Sequence, residues 1–213
     1  MVSLAQALLV TFLWSSSYVL IKIGLGQISP LAFAALRYSL AFIILFLASA
    51  VRGSLRNLAN LSLREWLKLI IIGAFGYAGA QGLQFVGLRY IPVVATSFLL
   101  NFTPVFVVLL GILFLNEIPT KLQAAGIMIA LLGGYVYFQT PIQSDQVLGV
   151  VFVLASGICW AIYMTLARRI QRGREMDTLQ LTTTSMWAGA LILLVSSFLI
   201  EGIPSVALSG WII

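Results

Sequence analysis

The sequence predicts an all-α polytopic membrane protein, and three observations carry that prediction. Of its 213 residues, 61% are hydrophobic and 8% charged, with a mean hydropathy of +1.08, against about 25% charged in an ordinary soluble domain. Apolar runs recur that are long enough to cross a hydrocarbon core, which takes roughly 20 helical residues at about 1.5 Å each. These runs are apolar on every face instead of alternating, so they read as helices and not as the strands of a barrel.

The runs cover 4–24, 30–51, 66–88, 92–115, 122–138, 147–167 and 179–200, and an eighth begins at Trp211. The first is not a secretory signal, because it lacks a basic leading region and its apolar stretch exceeds the roughly 7 to 15 residues of a signal core. Its centre reads WSSSY, Trp14 to Tyr18, too deep for the interfacial belt where tryptophan usually sits. Two explanations stand level for Trp14, Ser17 and Tyr18: they border a cavity and offer a small solute a stacking surface and hydrogen bonds, or they serve packing and back-bonding. Ser15 and Ser16 read as back-bonded to carbonyls one turn earlier. Lys22, nearer the boundary, reads as a snorkelling anchor.

The second run places Arg37 about seven residues, or roughly 10 Å, inside the membrane, where an arginine must face protein or water. Its planar donor fork suits a carboxylate or phosphate, and a structural arginine bonded to carbonyls is the equal alternative. In the third run Gly73, Gly76, Ala80 and Gly87 form a small-residue face for close helix packing. Tyr77, Gln81 and Gln84 line the neighbouring face and nominate a cavity wall, with interhelical glutamine bonds as the alternative. In the fourth, Pro104 cannot donate to the carbonyl of Leu100, which predicts a bend with Asn101 and Thr103 beside it. These residues receive a solute and give a hinge at Pro104, or they only satisfy the broken turn. The seventh run carries TTTS, 182–185, read as hydroxyls bonded to their own helix.

The basic residues follow topology. Arg52, Arg56, Arg64 and Lys68 flank the second connection, Lys121 the fourth, and Arg168, Arg169, Arg172 and Arg174 the sixth, while the odd-numbered connections hold only Arg89, Asp145 and Glu201. Positive-inside bias then puts the amino terminus and the even connections in the cytoplasm. The net charge of +6 needs no nucleic acid to explain it, since RRIQRGR has no aromatic platform beside it. A single cysteine, Cys159, and no histidine exclude a disulfide framework and leave no ligand set for zinc or haem, so neither metal nor cofactor is expected. The acidic residues all fall in connections or at helix ends, which leaves no carboxylate at the bilayer centre to carry a coupling proton. An intramembrane enzyme would need a nucleophile with its base, a metal motif or paired aspartates; no catalytic residue is expected.

An internal repeat adds a second line of inference. FLWSSSYVLIKIG aligns with GICWAIYMTLARR, pairing Trp14 with Trp160 and Lys22 with Arg168, and in each copy the positions between them fall on one helical stripe. Tyr163, in the second copy, joins Trp160 as a candidate for the site. The copies begin five helices apart, so the second enters the membrane from the opposite side and the repeat is inverted. A five-helix unit also predicts roughly three further helices beyond Ile213.

The stretches WSSSYVLIKIG, SPLAFAALRYSLAF, ATSFLLNFTPVFVVLLGILFLNEIPTKLQAAGIMIALLGGYVY and GVVFVLASGICWAIY resemble the EamA branch of the drug/metabolite transporter superfamily. The resemblance is most specific at Pro104, at the LNE of 115–117, and at Gly126, Gly133 and Gly134; where that family usually has glycine before the glutamate, this chain has Asn116. It implies a ten-helix fold of two inverted five-helix units, the first complete at 1–140 and the second partial at 141–213. Both termini would be cytoplasmic, with a solute path between the units.

Residues and resemblance together give a permease of the cell membrane that moves small polar metabolites, amino-acid-like or drug-like, outward by alternating access. The expected partners are a small-molecule solute and the lipid bilayer; a homodimer is left open. A channel or a lipid-linked sugar flippase of the same fold is the alternative.

Overall fold

The computed structural model describes residues 2–55, 58, 61–137, 143–173 and 176–202. Among them it is helical throughout, without strands: α1 (Val2–Gly24), α2 (Pro30–Val51), α3 (Leu63–Gly73), α4 (Ala80–Tyr90), α5 (Val93–Leu100), α6 (Thr103–Leu115), α7 (Lys121–Tyr137), α8 (Val147–Arg172) and α9 (Thr178–Glu201). A π-helical segment, Ala74–Gly79, joins α3 to α4 without a break. Six stretches are long and apolar enough to cross a membrane: Leu4–Gly24, Pro30–Val51, Leu63–Tyr90, Val93–Leu115, Val147–Arg172 and Thr178–Glu201. The fifth predicted run forms the shorter apolar helix α7, its last residue at 138 lying outside the described residues, as does the eighth run at Trp211.

Polar caps explain where helices start earlier than hydropathy alone predicts. Ser62 and Glu65 form a reciprocal capping box, so α3 begins at Leu63 instead of Trp66. Thr120 and Gln123 exchange the same pair of bonds at the head of α7. At the end of α6, Asn116 adopts φ 51°, the one positive φ outside glycine among the described residues. Asparagine tolerates this left-handed cap better than other side chains, which accounts for its standing where the resembled family usually has glycine.

Two caps act between distant helices and fix the bundle. Ser29 gives α2 no side-chain cap, and Pro30 has no N–H to cap. The Glu201 carboxylate, at the far end of α9, instead accepts from the N–H groups of Leu31 and Ala32, each at 2.9 Å. An anion on the positive end of a helix contributes about 1 kcal/mol. Lys22, predicted to snorkel, donates instead to the carbonyls of Leu88 and Ile91 at the close of the third span. The cation lies on the negative end of that helix, and each group gives the other a partner within the protein.

The interior is organised around α8 and α9. The most extensive helix pairing joins α2 to α9, followed by α4 with α8 and α6 with α8. Small residues set these distances, as predicted for the third span: an added Cβ at Gly87 would stand 3.1 Å from the Gly149 carbonyl oxygen, and one at Gly73 would stand 3.0 Å from the Ala188 Cβ. In lipid, helix association rests on such close van der Waals fit instead of water release. Thr182, Thr183, Thr184 and Ser185 each donate to the carbonyl four residues earlier, as expected, and the Thr183 hydroxyl also meets Ser49 at 2.7 Å. Buried Ile21, Ala34, Phe85, Leu88 and Leu193 form one apolar cluster, and Leu69, Ile72, Ile170 and Leu181 another. The outward faces of α1 and α7, with Leu8, Phe12, Ile129 and Leu132 exposed, present apolar surface to lipid.

The Gly73–Gly189 approach predicts a sharp asymmetry between two glycines. A Cβ at Gly189 would lie 2.6 Å from the Gly73 carbonyl oxygen, whereas one at Gly126 meets nothing within 4 Å. Gly189→Val will destabilise the protein by about 1–3 kcal/mol or more, and Gly126→Ala will leave thermal unfolding in micelles unchanged or slightly raised. Equal transitions for the two variants would contradict this packing.

Candidate functional site

A cavity of about 1240 Å³ opens between α1, α2, the third span, α6, α7 and α8. At one end its wall is polar and charged, with Glu117, Thr120, Gln123, Arg168 and Arg172. It reaches from there to Trp14, Arg37, Tyr38 and Ser156, while Lys22 and Glu201 at the opposite end of the bundle take no part in it.

The sequence candidates are distributed as follows. Trp14, Ser17 and Tyr18 of α1 line the cavity, and so do Arg37 of α2, Tyr77, Gln81 and Gln84 of the third span, and Trp160 of α8. Ser16 is back-bonded to Phe12 at 3.0 Å and Leu13 at 3.1 Å. Asn101 and Thr103 line the wall beside Pro104, and there the fourth run is broken: α5 ends at Leu100 and α6 begins at Thr103. The missing proline donor leaves the Leu100 carbonyl without its helical bond, which is the predicted cause of the interruption.

Tyr163 is placed differently. It stands behind the wall, its ring stacked on Trp160 at 4.8 Å and its hydroxyl 3.4 Å from that of Tyr77. Tyr77 in turn packs on Tyr38 at 5.6 Å. The chain Trp160, Tyr163, Tyr77, Tyr38 is thus one continuous aromatic backing for the cavity, and it crosses from α8 to α2 through the π-helical segment that carries Tyr77. The extra residue in a π turn shifts the phase of the helix, a feature frequent at functional sites. Gly76 makes room for the Tyr163 ring, which an added Cβ would overlap.

Arg37 is the energetic centre of this wall. Its guanidinium carbon lies 5.6 Å from the Tyr38 ring centroid and 5.9 Å from that of Phe85, and among the described residues it has no carboxylate partner. Placing an arginine deep in a membrane costs about 2.5–3.5 kcal/mol on insertion scales, and each ring offsets on the order of 1 kcal/mol. The rings offset much of that cost, and the side chain also lines the cavity, where water or a solute has room to meet its donors. Tyr18 and Gln84 line the same cavity.

Sequence reasoning missed the charged end. Glu117 pairs with Arg168 at 2.8 Å and with Arg172 at 2.6 Å. A carboxylate at a helix end with two arginines four residues apart on another helix was the available signal, but the partner lies 51 positions away. Tyr38, Ser156 and Met164 also line the cavity without having been singled out for it.

Among the described residues no cluster of histidine, cysteine, aspartate and glutamate is placed to hold a metal ion. Comparison with known proteins gives the arrangement its context. An uncharacterised transporter of Bacillus subtilis (strain 168), YoaV, is 25% identical over 199 residues, covering 92% of this chain and 66% of that protein. A Salmonella typhimurium (strain LT2) protein named "Probable amino-acid metabolite efflux pump" is 28% identical over 201 residues, covering 92% of this chain and 64% of that protein. A solved crystal structure matches the fold with a TM-score of 0.70 at 22% identity, over 94% of this chain and 68% of that one. The chain thus spans about two thirds of the length of the curated relatives it matches. The family model described as "EamA-like transporter family" matches residues 1–139. With more than half of its length inside that match and membrane-length helices on either side of the cavity, the chain belongs to the EamA-like transporter family.

Proposed function

We propose that the protein is a secondary transporter that carries small polar metabolites across the cell membrane through this cavity, with amino-acid-like or drug-like solutes as its cargo and export as its direction. One observation carries the reading: in a chain that is 61% hydrophobic, the polar side chains of Ser17, Arg37, Gln81, Gln84, Asn101 and Thr103, drawn from several helices, line one large cavity. Pockets of roughly 300–1,000 Å³ hold drug-sized ligands, so a volume of about 1240 Å³ accommodates a metabolite with water. The name of the Salmonella relative supports an amino-acid-like cargo for this chain.

In this reading Trp14, Tyr18 and Trp160 provide flat surfaces for the solute body. Arg37 anchors its carboxylate by a charge-assisted pair of hydrogen bonds. Ser17, Gln81, Gln84, Asn101 and Thr103 meet its remaining polar groups. The interrupted helix at Pro104 is the hinge, since two half-helices joined at 101–102 re-angle at less cost than one continuous rod. Two inverted five-helix units, the first being 1–140, rock about the cavity in turn, with the amino terminus in the cytoplasm. Glu117, the one carboxylate on the described wall, is committed to two arginines, so transport runs by exchange or down the solute gradient.

Two experiments follow. Replacing both Trp14 and Trp160 with leucine, at matched expression of the full-length protein, will lower saturable transport by roughly tenfold or more, the loss of two stacking surfaces each worth about 1 kcal/mol or above. An unchanged rate removes both residues from the site. In a Cys159→Ser background, Gln81→Cys will react rapidly with a charged, membrane-impermeant thiol reagent in purified protein, and Phe85→Cys, at a fully buried position, will not. Equal labelling would show that the wall is not the wet surface assigned to it.

A further inference from the structure

Among the described residues, three arginines line the cavity, Arg37, Arg168 and Arg172, against one carboxylate, that of Glu117. The arrangement at the charged end is specific. One Glu117 oxygen accepts from Arg168 Nη1 at 2.8 Å and the other lies 2.6 Å from Arg172 Nη2, so a single carboxylate bridges two arginines. Each arginine has five N–H donors, of which the Glu117 carboxylate engages one on Arg168 by hydrogen bond and approaches one on Arg172. The side chains are also only partly sheltered, 39% exposed for Arg168, 58% for Arg172 and 28% for Glu117.

The carboxylate is held there by the backbone. Asn116 turns the chain out of α6 in the left-handed conformation, and Glu117 folds back over Gly111, where an added Cβ would stand 2.9 Å from its Oε2. Thr120 and Gln123, on the head of α7, face the same space. A positively charged mouth therefore opens into a cavity whose deep end holds a third arginine, Arg37, without a carboxylate partner among the described residues.

We infer that this cavity selects anionic solutes, and that Arg168 and Arg172 form the subsite that receives them, occupied in the described state by Glu117 as a tethered carboxylate. A solute carboxylate or phosphate competes with Glu117 for the same N–H donors and then passes to Arg37. The inference rests on the transport reading and narrows it from polar metabolites to those with a negative charge to exchange against Glu117. The same donors would accept the phosphate of an anionic lipid, and the test separates the two sources.

The full-length protein in neutral detergent is heated with succinate, succinamate or succinamide, three probes of one shape and falling charge, at constant ionic strength. Succinate will raise the unfolding temperature saturably, succinamate less, and succinamide not at all; equal responses overturn the assignment. Arg172→Gln, a change at a largely exposed side chain, will raise the half-saturating succinate concentration roughly tenfold by removing one charge-assisted donor. Glu117→Gln will lower it by removing the competitor. An unaltered succinate response in both variants places the anion elsewhere and overturns the subsite. In nanodiscs of phosphatidylcholine the response will persist, and in phosphatidylglycerol it will persist at the same half-saturation. Its loss in the anionic lipid alone assigns the arginines to a headgroup and contradicts the solute role. Because these readouts are of binding, a failure of transport with the succinate response intact counts against the carrier reading and not against the subsite.

Discussion

The fold depends on one constraint: inside a membrane, each polar group must find its partner in the protein, because the hydrocarbon supplies none. The described residues meet it in distinct ways. Hydroxyls of α9 return to their own helix, the Glu201 carboxylate closes the head of α2, and the Lys22 ammonium closes the tail of α4. The last two ties join helices distant in sequence, so satisfying the constraint also positions α1, α2, α4 and α9 relative to one another. A further group of polar side chains, Arg37, Gln81 and Asn101 among them, lines the cavity, and the Ser39 hydroxyl is buried without a partner among the described residues.

Close packing and the cavity are complementary consequences of the same third span. Its glycine face draws α8 and α9 to near backbone contact, which gives lipid-immersed helices most of their attraction. Its other face carries Tyr77, Gln81 and Gln84. The π-helical segment lies where the two faces exchange neighbours, and it places Tyr77 between Tyr38 and Tyr163. One helix thereby anchors the bundle and shapes the site.

Much of this was legible in the sequence because the governing signals were local. The spans followed from run length, the break at 101–102 from the donor that Pro104 lacks, and the two stripes of the third span from helical period. Helix starts were displaced because Ser62–Glu65 and Thr120–Gln123 extend a helix with polar residues that hydropathy assigns to a connection. Lys22 read as an anchor to the boundary because its carbonyl partners, 66 and 69 residues away, leave no periodic trace. Glu117 was hidden for the same reason. Tyr163 lies three residues from Trp160, close to its stripe, but the ring turns toward Tyr77, and period alone does not separate the wall from its backing. The π turn has no sequence rule to betray it.

The picture that results is a positively charged mouth, a cavity floored by aromatic rings, and on its wall an arginine flanked by two of those rings. The central claim, that this cavity is one site exposed alternately to each side, is tested most directly by counterflow in proteoliposomes of the full-length protein. Unlabelled solute trapped inside should accelerate saturable uptake of the same labelled solute from outside, as a carrier with a single reorienting site requires. Uptake that rises linearly with concentration and ignores the trapped solute would contradict it and identify a channel.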